Sequence, residues 1–184
     1  MVHTVAVIVG SLRKESFSRK TAKALAALTP GLAFEIVEIG DLPLYNEDVE
    51  AAGAPAPWTA FRAKIAPADA VLFVTPEYNR SVPGALKNAI DVGSRPYGKS
   101  VFDGKPGAVI SVSPGALAAF GANHHLRQSL VFLNIAAMAQ PEAYIGGAGR
   151  LFDAAGALTN EDTAKFLTTF GEKFTAWIAA HKRA

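Results

Sequence analysis

Cysteine is absent from the 184 residues, which excludes disulfides and thiolate chemistry and fits a reducing, cytoplasmic setting. Charge is sparse: 18% of residues are Asp, Glu, Lys or Arg, and the net is only +2. A nucleic-acid surface gathers its cations on one face. Here they are scattered, and the densest group (Arg13, Lys14, Arg19, Lys20, Lys23) is interleaved with serines, so no nucleic-acid partner is expected. No apolar run reaches the ~20 residues that span a bilayer. Met1-Val2-His3-Thr4 leads straight into an apolar segment with no basic leader, so neither a membrane span nor a signal peptide is expected. Metal-dependent α/β hydrolases cluster aspartates at strand ends. After Gly10 there is no Asp, and after Thr75 only Glu77, so no metal site is expected.

What is abundant is apolar residues, half of the chain, enough for a large core. The length suits one domain over residues 1–184. Strand character is strong in Thr4–Gly10, Leu32–Ile39, Ala70–Thr75 and Lys105–Ser113, with a short fifth candidate at Ala136–Ala139 ending before Pro141. Three of these are nearly continuous in Val, Ile, Ala and Phe, as parallel strands covered on both faces require. The second alternates through Glu35 and Glu38 and reads as an edge strand. Helical patterns lie between them at Ser18–Leu28, Trp58–Ile65, Ala85–Val92, Asn123–Phe132 and Asp162–Ala180. The last places Phe166, Phe170, Phe174 and Trp177 on one stripe, read as core. Ala51–Pro57 reads as a surface loop, and Asp91 with Arg95 as an i,i+4 ion pair. The alternation predicts a flavodoxin-like three-layer α/β sandwich on a five-stranded parallel sheet of order 2-1-3-4-5.

In such sheets ligands bind beyond the carboxyl ends of the strands. That rule selects three turns: Gly10–Ser18 (GSLRKESFS), Pro76–Gly84 (PEYNRSVPG) and Ser113–Gly121 (SPGALAAFG). The first fits neither GxGxxG nor the Walker pattern. Its serines Ser11, Ser16 and Ser18, the free amides of a helix start and Arg13 suit a terminal phosphate dianion. Read alone, the turn equally admits a plain N-cap beside a solvated arginine. The second turn offers backbone amides and carbonyls held by proline, with Tyr78 and Asn79, a rim suited to a flat heteroaromatic ring such as a flavin. The alternative is a tight turn in which Glu77 caps the following helix. His124 and His125 are consecutive on a helix, diverge by about 100°, and so do not chelate one ion.

These residues carry a resemblance. GSLRKESFS and TPEYNRSVPGALKNAID, with HLRQSLVFLN and the KP before the fourth strand, resemble the NAD(P)H-dependent FMN reductase family, closest to its bacterial chromate- and quinone-reducing members, over roughly Val5 to Ala180. The resemblance implies an enzyme that passes hydride from NADPH or NADH through bound FMN to quinones and to opportunistic acceptors such as chromate. No catalytic side chain is implied, because the flavin carries the hydride chemistry. It implies FMN phosphate contacts at Ser11, Arg13, Ser16 and Ser18, with Phe17 among the cofactor-binding residues, ring contacts at Pro76, Glu77, Tyr78 and Asn79 with Ser81 nearby, and a closing turn at Ser113, Pro114 and Gly115. It also implies a homodimer or homotetramer, with Glu142 and His124 bonded at an interface. Tyr97–Phe102 and Leu117–Phe120 depart from the family pattern. The alternative function is a flavodoxin-type electron carrier, although such carriers are usually acidic.

Overall fold

The computed structural model describes residues 2–182, so Met1 of the N-terminal reading lies outside them. Six strands form one sheet: β1 (His3–Val9), β2 (Leu32–Val37), β3 (Ala70–Thr75), β4 (Pro106–Val112), β5 (Ala136–Ala137) and β6 (Ala143–Ile145). All pairings are parallel in the order β2-β1-β3-β4-β5, with β6 also on β4. The helices are α1 (Phe17–Leu28), α2 (Glu47–Ala52), α3 (Ala56–Ile65), α4 (Gly84–Gly93), α5 (Phe120–Phe132) and α6 (Glu161–His181).

Strand periodicity divides the core in two. Val5, Val7, Val9, Leu72, Val74 and Ile110 pack under α1 and α6, against Leu25, Phe170, Phe174 and Ile178. Ala6, Ile8, Val71, Phe73 and Val109 face α3, α4 and α5 through Trp58, Phe61, Leu86, Ile90, Leu126 and Leu130. The aromatic stripe of α6 is core as expected, with Phe170 and Phe174 fully buried and Trp177 Nε1 donating to Ala136 O at 2.7 Å. The edge position of β2 is also as expected.

Four details differ from the sequence reading. The fifth strand stops at Ala137, short of the expected Ala139; Pro141 further on offers no N–H to a ladder, and pairing resumes on the far half of β4 as β6, a strand the sequence reading lacks. The supposed loop Ala51–Pro57 is mostly helix. Asn46 Oδ1 accepts from Asp48 N–H at 2.9 Å to cap α2, and only residues 53–55 separate it from α3. Helix α5 begins at Phe120, three residues before the predicted Asn123. Finally, Asp91 pairs with Lys87 at 2.8 Å rather than Arg95. Helix α4 ends at Gly93, so Arg95 has left the i,i+4 geometry and its Nη1 donates to Ser94 Oγ instead.

Candidate active site at the carboxyl ends of the strands

β1 delivers the chain to Gly10, whose N–H donates to Val74 O at 2.9 Å. A Cβ at Gly10 would meet Leu86 Cδ2 at 3.0 Å, Thr75 Oγ1 at 3.1 Å and Pro76 Cδ at 3.3 Å. Only glycine lets the first turn lie this close to the second. Beyond it Ser11 Oγ accepts from Arg13 N–H at 3.4 Å. Ser16 caps α1, its Oγ accepting from Arg19 N–H at 3.1 Å. Helix geometry leaves the Phe17 and Ser18 amides without intrahelical partners, and the first turn of α1 carries no acid. Ser11, Ser16 and Ser18 are buried. Glu15 is drawn to Lys20 at 2.9 Å, and Arg13 forms no ion pair among the described residues.

The second turn is a small hairpin. Tyr78 and Ser81 exchange N–H···O bonds of 3.0 Å each across Asn79 and Arg80, whose φ values are 52° and 65°. Positive φ at both central residues makes this a type I′ turn, which suits Asn but costs Arg strain. The hairpin is fastened to α5 rather than to α4. Glu77 Oε2 accepts from Ala122 N–H at 3.1 Å, Ser81 Oγ meets His125 Nδ1 at 3.0 Å, and Gly121 lies beneath Arg80 O, where a Cβ would come within 2.8 Å. Glu77 therefore caps a helix, but α5 and not the adjacent α4. Its charge also faces Arg80 at 3.3 Å.

The third turn hangs from the sheet edge. Ser113 N–H donates to Ile145 O at 2.9 Å, Ala148 N–H returns to Ser113 O at 3.1 Å, and Ser113 Oγ accepts from Gly115 N–H at 3.1 Å. Ala118 and Ala119 both have positive φ, 50° and 59°, and buried Ser111 Oγ donates to Ala118 O at 2.8 Å to hold them.

The three turns meet in one cleft of about 130 Å³ lined by Ser11, Arg13, Ser16, Phe17, Ser18, Pro76, Glu77, Tyr78, Val112, Ser113 and Pro114. Ten of these are residues singled out in the sequence. Val112, the last residue of β4, was hidden there among core valines. Asn79, Ser81 and Gly115 do not line the cleft; they shape its turns. Two sets of groups are thereby side by side: buried hydroxyls with a cation at a helix N-terminus, and a proline-stiffened backbone rim. The first set fits a phosphate dianion in donor chemistry and in charge.

Within one chain Glu142 and His124 are not bonded directly. Tyr144 stands between them, its hydroxyl donating to Glu142 Oε1 at 2.8 Å and meeting His124 Nε2 at 3.1 Å. Burial, reinforced by the Glu142 hydrogen bond and charge, pushes the Tyr144 phenol up to about 12, so it stays a donor. His124 and His125 diverge as predicted, towards Tyr144 and Ser81 respectively. No helix among the described residues is long and apolar enough to cross a membrane.

A family model described as NADPH-dependent FMN reductase matches residues 3–150. The chain belongs to that family. Among its relatives, a quinone reductase of Pseudomonas putida is 64% identical over 182 residues, spanning 98% of this chain and 97% of the relative. A 2-hydroxy-1,4-benzoquinone reductase of a Burkholderia species is 49% identical over 179 residues, covering 97% of each. The flavoenzyme NAD(P)H:(acceptor) oxidoreductase FerB of Paracoccus denitrificans superposes with a TM-score of 0.93 at 47% identity, over 99% of this chain and all of that one. Membership in the NADPH-dependent FMN reductase family makes the chain an oxidoreductase whose chemistry joins NAD(P)H to FMN.

Proposed function

We propose that this protein is an FMN-dependent quinone reductase that takes hydride from NADPH or NADH and delivers it to quinones, with chromate as an opportunistic acceptor. The observation that carries the reading is the convergence of Ser11, Arg13, Ser16 and Ser18 with Pro76–Tyr78 and Ser113–Pro114 in one cleft. When bound, FMN supplies the two-electron chemistry between nicotinamide and acceptor. The chain's own residues bind and orient. The serine hydroxyls and the free amides of α1 would hold the phosphate end, with Phe17 beside them, and Arg13 would neutralise its charge. The proline-held rim at Pro76, Glu77 and Tyr78, its hairpin set by Asn79 and Ser81, would hold the ring. Ser113 and Pro114 close the third side, their turn shaped by Gly115. Glu77 does not repel electron-rich partners, because its charge is shared by Arg80 and the N-terminus of α5. Hydride transfer needs no acid or base side chain, and protons come from water.

The names of the relatives support a quinone as acceptor. The reading extends to one domain over residues 1–184, a cytoplasmic location and a homodimer or homotetramer, the last to be checked by light scattering at micromolar concentration. A visible spectrum of the purified protein, before and after anaerobic NAD(P)H, tests the function. A yellow protein that bleaches supports it; a protein that never takes up added FMN refutes it.

A further inference from the structure

The third turn ends in two large apolar side chains left in solvent: Leu117 is 58% exposed and Phe120 52%. Their placement is enforced. Ala118 and Ala119, between them, both occupy the left-handed region, which alanine rarely adopts and which persists only when its surroundings impose it. Phe120 N–H closes on Leu117 O at 2.9 Å, and Ser111 secures the Ala118 carbonyl from below. The Phe120 ring is backed as well. It lies 4.2 Å from the His124 ring and 5.4 Å from Tyr144, and the Tyr144 hydroxyl is fixed by Glu142 and His124. An exposed aromatic held by a strained turn on one side and two rings on the other is a preorganised surface rather than a loose side chain.

Its location gives it a use. Ser113 and Pro114, earlier in the same turn, line the cleft. Gly121, the next residue, packs under the hairpin that contributes Glu77 and Tyr78. Phe120 thus stands at the seam between two turns that both line the cleft. We infer that Leu117 and Phe120 form an acceptor platform at the cleft mouth that selects planar, apolar quinones over small hydrophilic oxidants. The inference rests on the reading of the cleft as the flavin site. A flat quinone gains ring stacking and apolar burial there; an oxyanion or a metal cyanide gains neither. Reduction of the quinone to hydroquinone consumes one hydride, originating from NAD(P)H, and one proton from water, and the platform acts on binding alone.

The test compares the FMN-loaded wild type with Phe120→Ala, Leu117→Ser and Phe120→Trp. Steady-state rates are measured with 2-methyl-1,4-naphthoquinone and with ferricyanide. The oxidised enzyme is also titrated calorimetrically with the naphthoquinone in the absence of NAD(P)H. Phe120→Ala is expected to lower the naphthoquinone-to-ferricyanide ratio of kcat/KM about threefold to tenfold, the scale of one aromatic contact. The change falls on KM and is matched by weaker calorimetric binding. Leu117→Ser shifts both in the same direction, and Phe120→Trp preserves both. An unchanged ratio and dissociation constant, an equal loss with both acceptors, or a change of assembly mass in sedimentation would overturn the platform. A yellow, NAD(P)H-bleached enzyme with an unaltered ratio removes the platform alone, whereas a protein that stays colourless with added FMN removes the flavin reading and the platform together.

Discussion

Glu77 and Ala122 lie 45 residues apart, yet the Glu77 carboxylate accepts the Ala122 N–H at 3.1 Å, tying the turn after β3 to the first turn of α5. Removing that acceptor in Glu77→Ala is expected to destabilise the protein by about 0.5–2 kcal/mol, the range for a lost helix cap. Glu77→Gln keeps an acceptor oxygen and loses the charge at the helix N-terminus, worth about 0.3–1 kcal/mol, with the exposed Arg80 pair, which contributes little. Urea midpoints should therefore fall in the order wild type, Gln, Ala. An alanine variant as stable as wild type would show that water serves the Ala122 amide equally well.

Arg80 occupies the second central position of the type I′ turn with φ 65°. Left-handed φ costs a non-glycine residue roughly 1–2 kcal/mol, while glycine adds roughly 0.5–1 kcal/mol of unfolded-state entropy. The 3.3 Å pair with Glu77 is lost in Arg80→Gly, but an exposed pair contributes little. The substitution should stabilise the protein by about 0.5 kcal/mol, visible as a raised melting temperature. A lowered one would mean that the ion pair outweighs the backbone relief.

Among the described residues, Arg13 is the one cation lining the cleft. Arg13→Ala is expected to weaken FMN binding by about 1.5–3 kcal/mol, as for a hydrogen bond to a charged group. That is roughly a 10- to 150-fold higher dissociation constant in a fluorescence titration. An unaltered constant would place the phosphate elsewhere.

Asp69 joins the start of the sheet to the end of α6, accepting from Thr4 N–H at 2.8 Å and pairing with Lys182 at 2.6 Å. Burial alone would raise its carboxyl. The Lys182 hydrogen bond, both Thr4 hydrogen bonds and the Lys182 charge outweigh it and bring the group down to about 2 from its ordinary 3.8. A depressed folded-state value means that the stabilisation is fully present above the ordinary value and is lost as pH falls through 3.8 towards 2. Denaturant unfolding should show wild type more stable than Asp69→Asn at neutral pH and the difference closing near pH 2. A gap independent of pH would assign the effect to packing.

The sheet was legible because β1, β3 and β4 are runs such as Val5–Val9 and Val71–Val74, which only doubly covered strands tolerate. The three turns were legible because Gly, Ser and Pro gather at strand ends. What was hidden depends on contacts between distant residues. Gly121 was read as the end of the third turn, yet it belongs to α5, which Glu77 caps from another turn. Tyr144 was invisible between Glu142 and His124, because β6 is three residues long and follows a proline. Helix α2 was masked by its brevity, six residues rich in Glu and Ala beside a Gly-Pro stretch.

The break at Pro141 also bears on how the molecule behaves in a crowd. Beyond β4 the sheet border is cut into pieces of two and three residues, so an intruding chain finds no long ladder of amides on which to zip itself. The opposite border, β2, presents the exposed carboxylate of Glu35. Fragmentation guards one flank and like-charge repulsion the other, which protects an open sheet from growing sideways into fibrils.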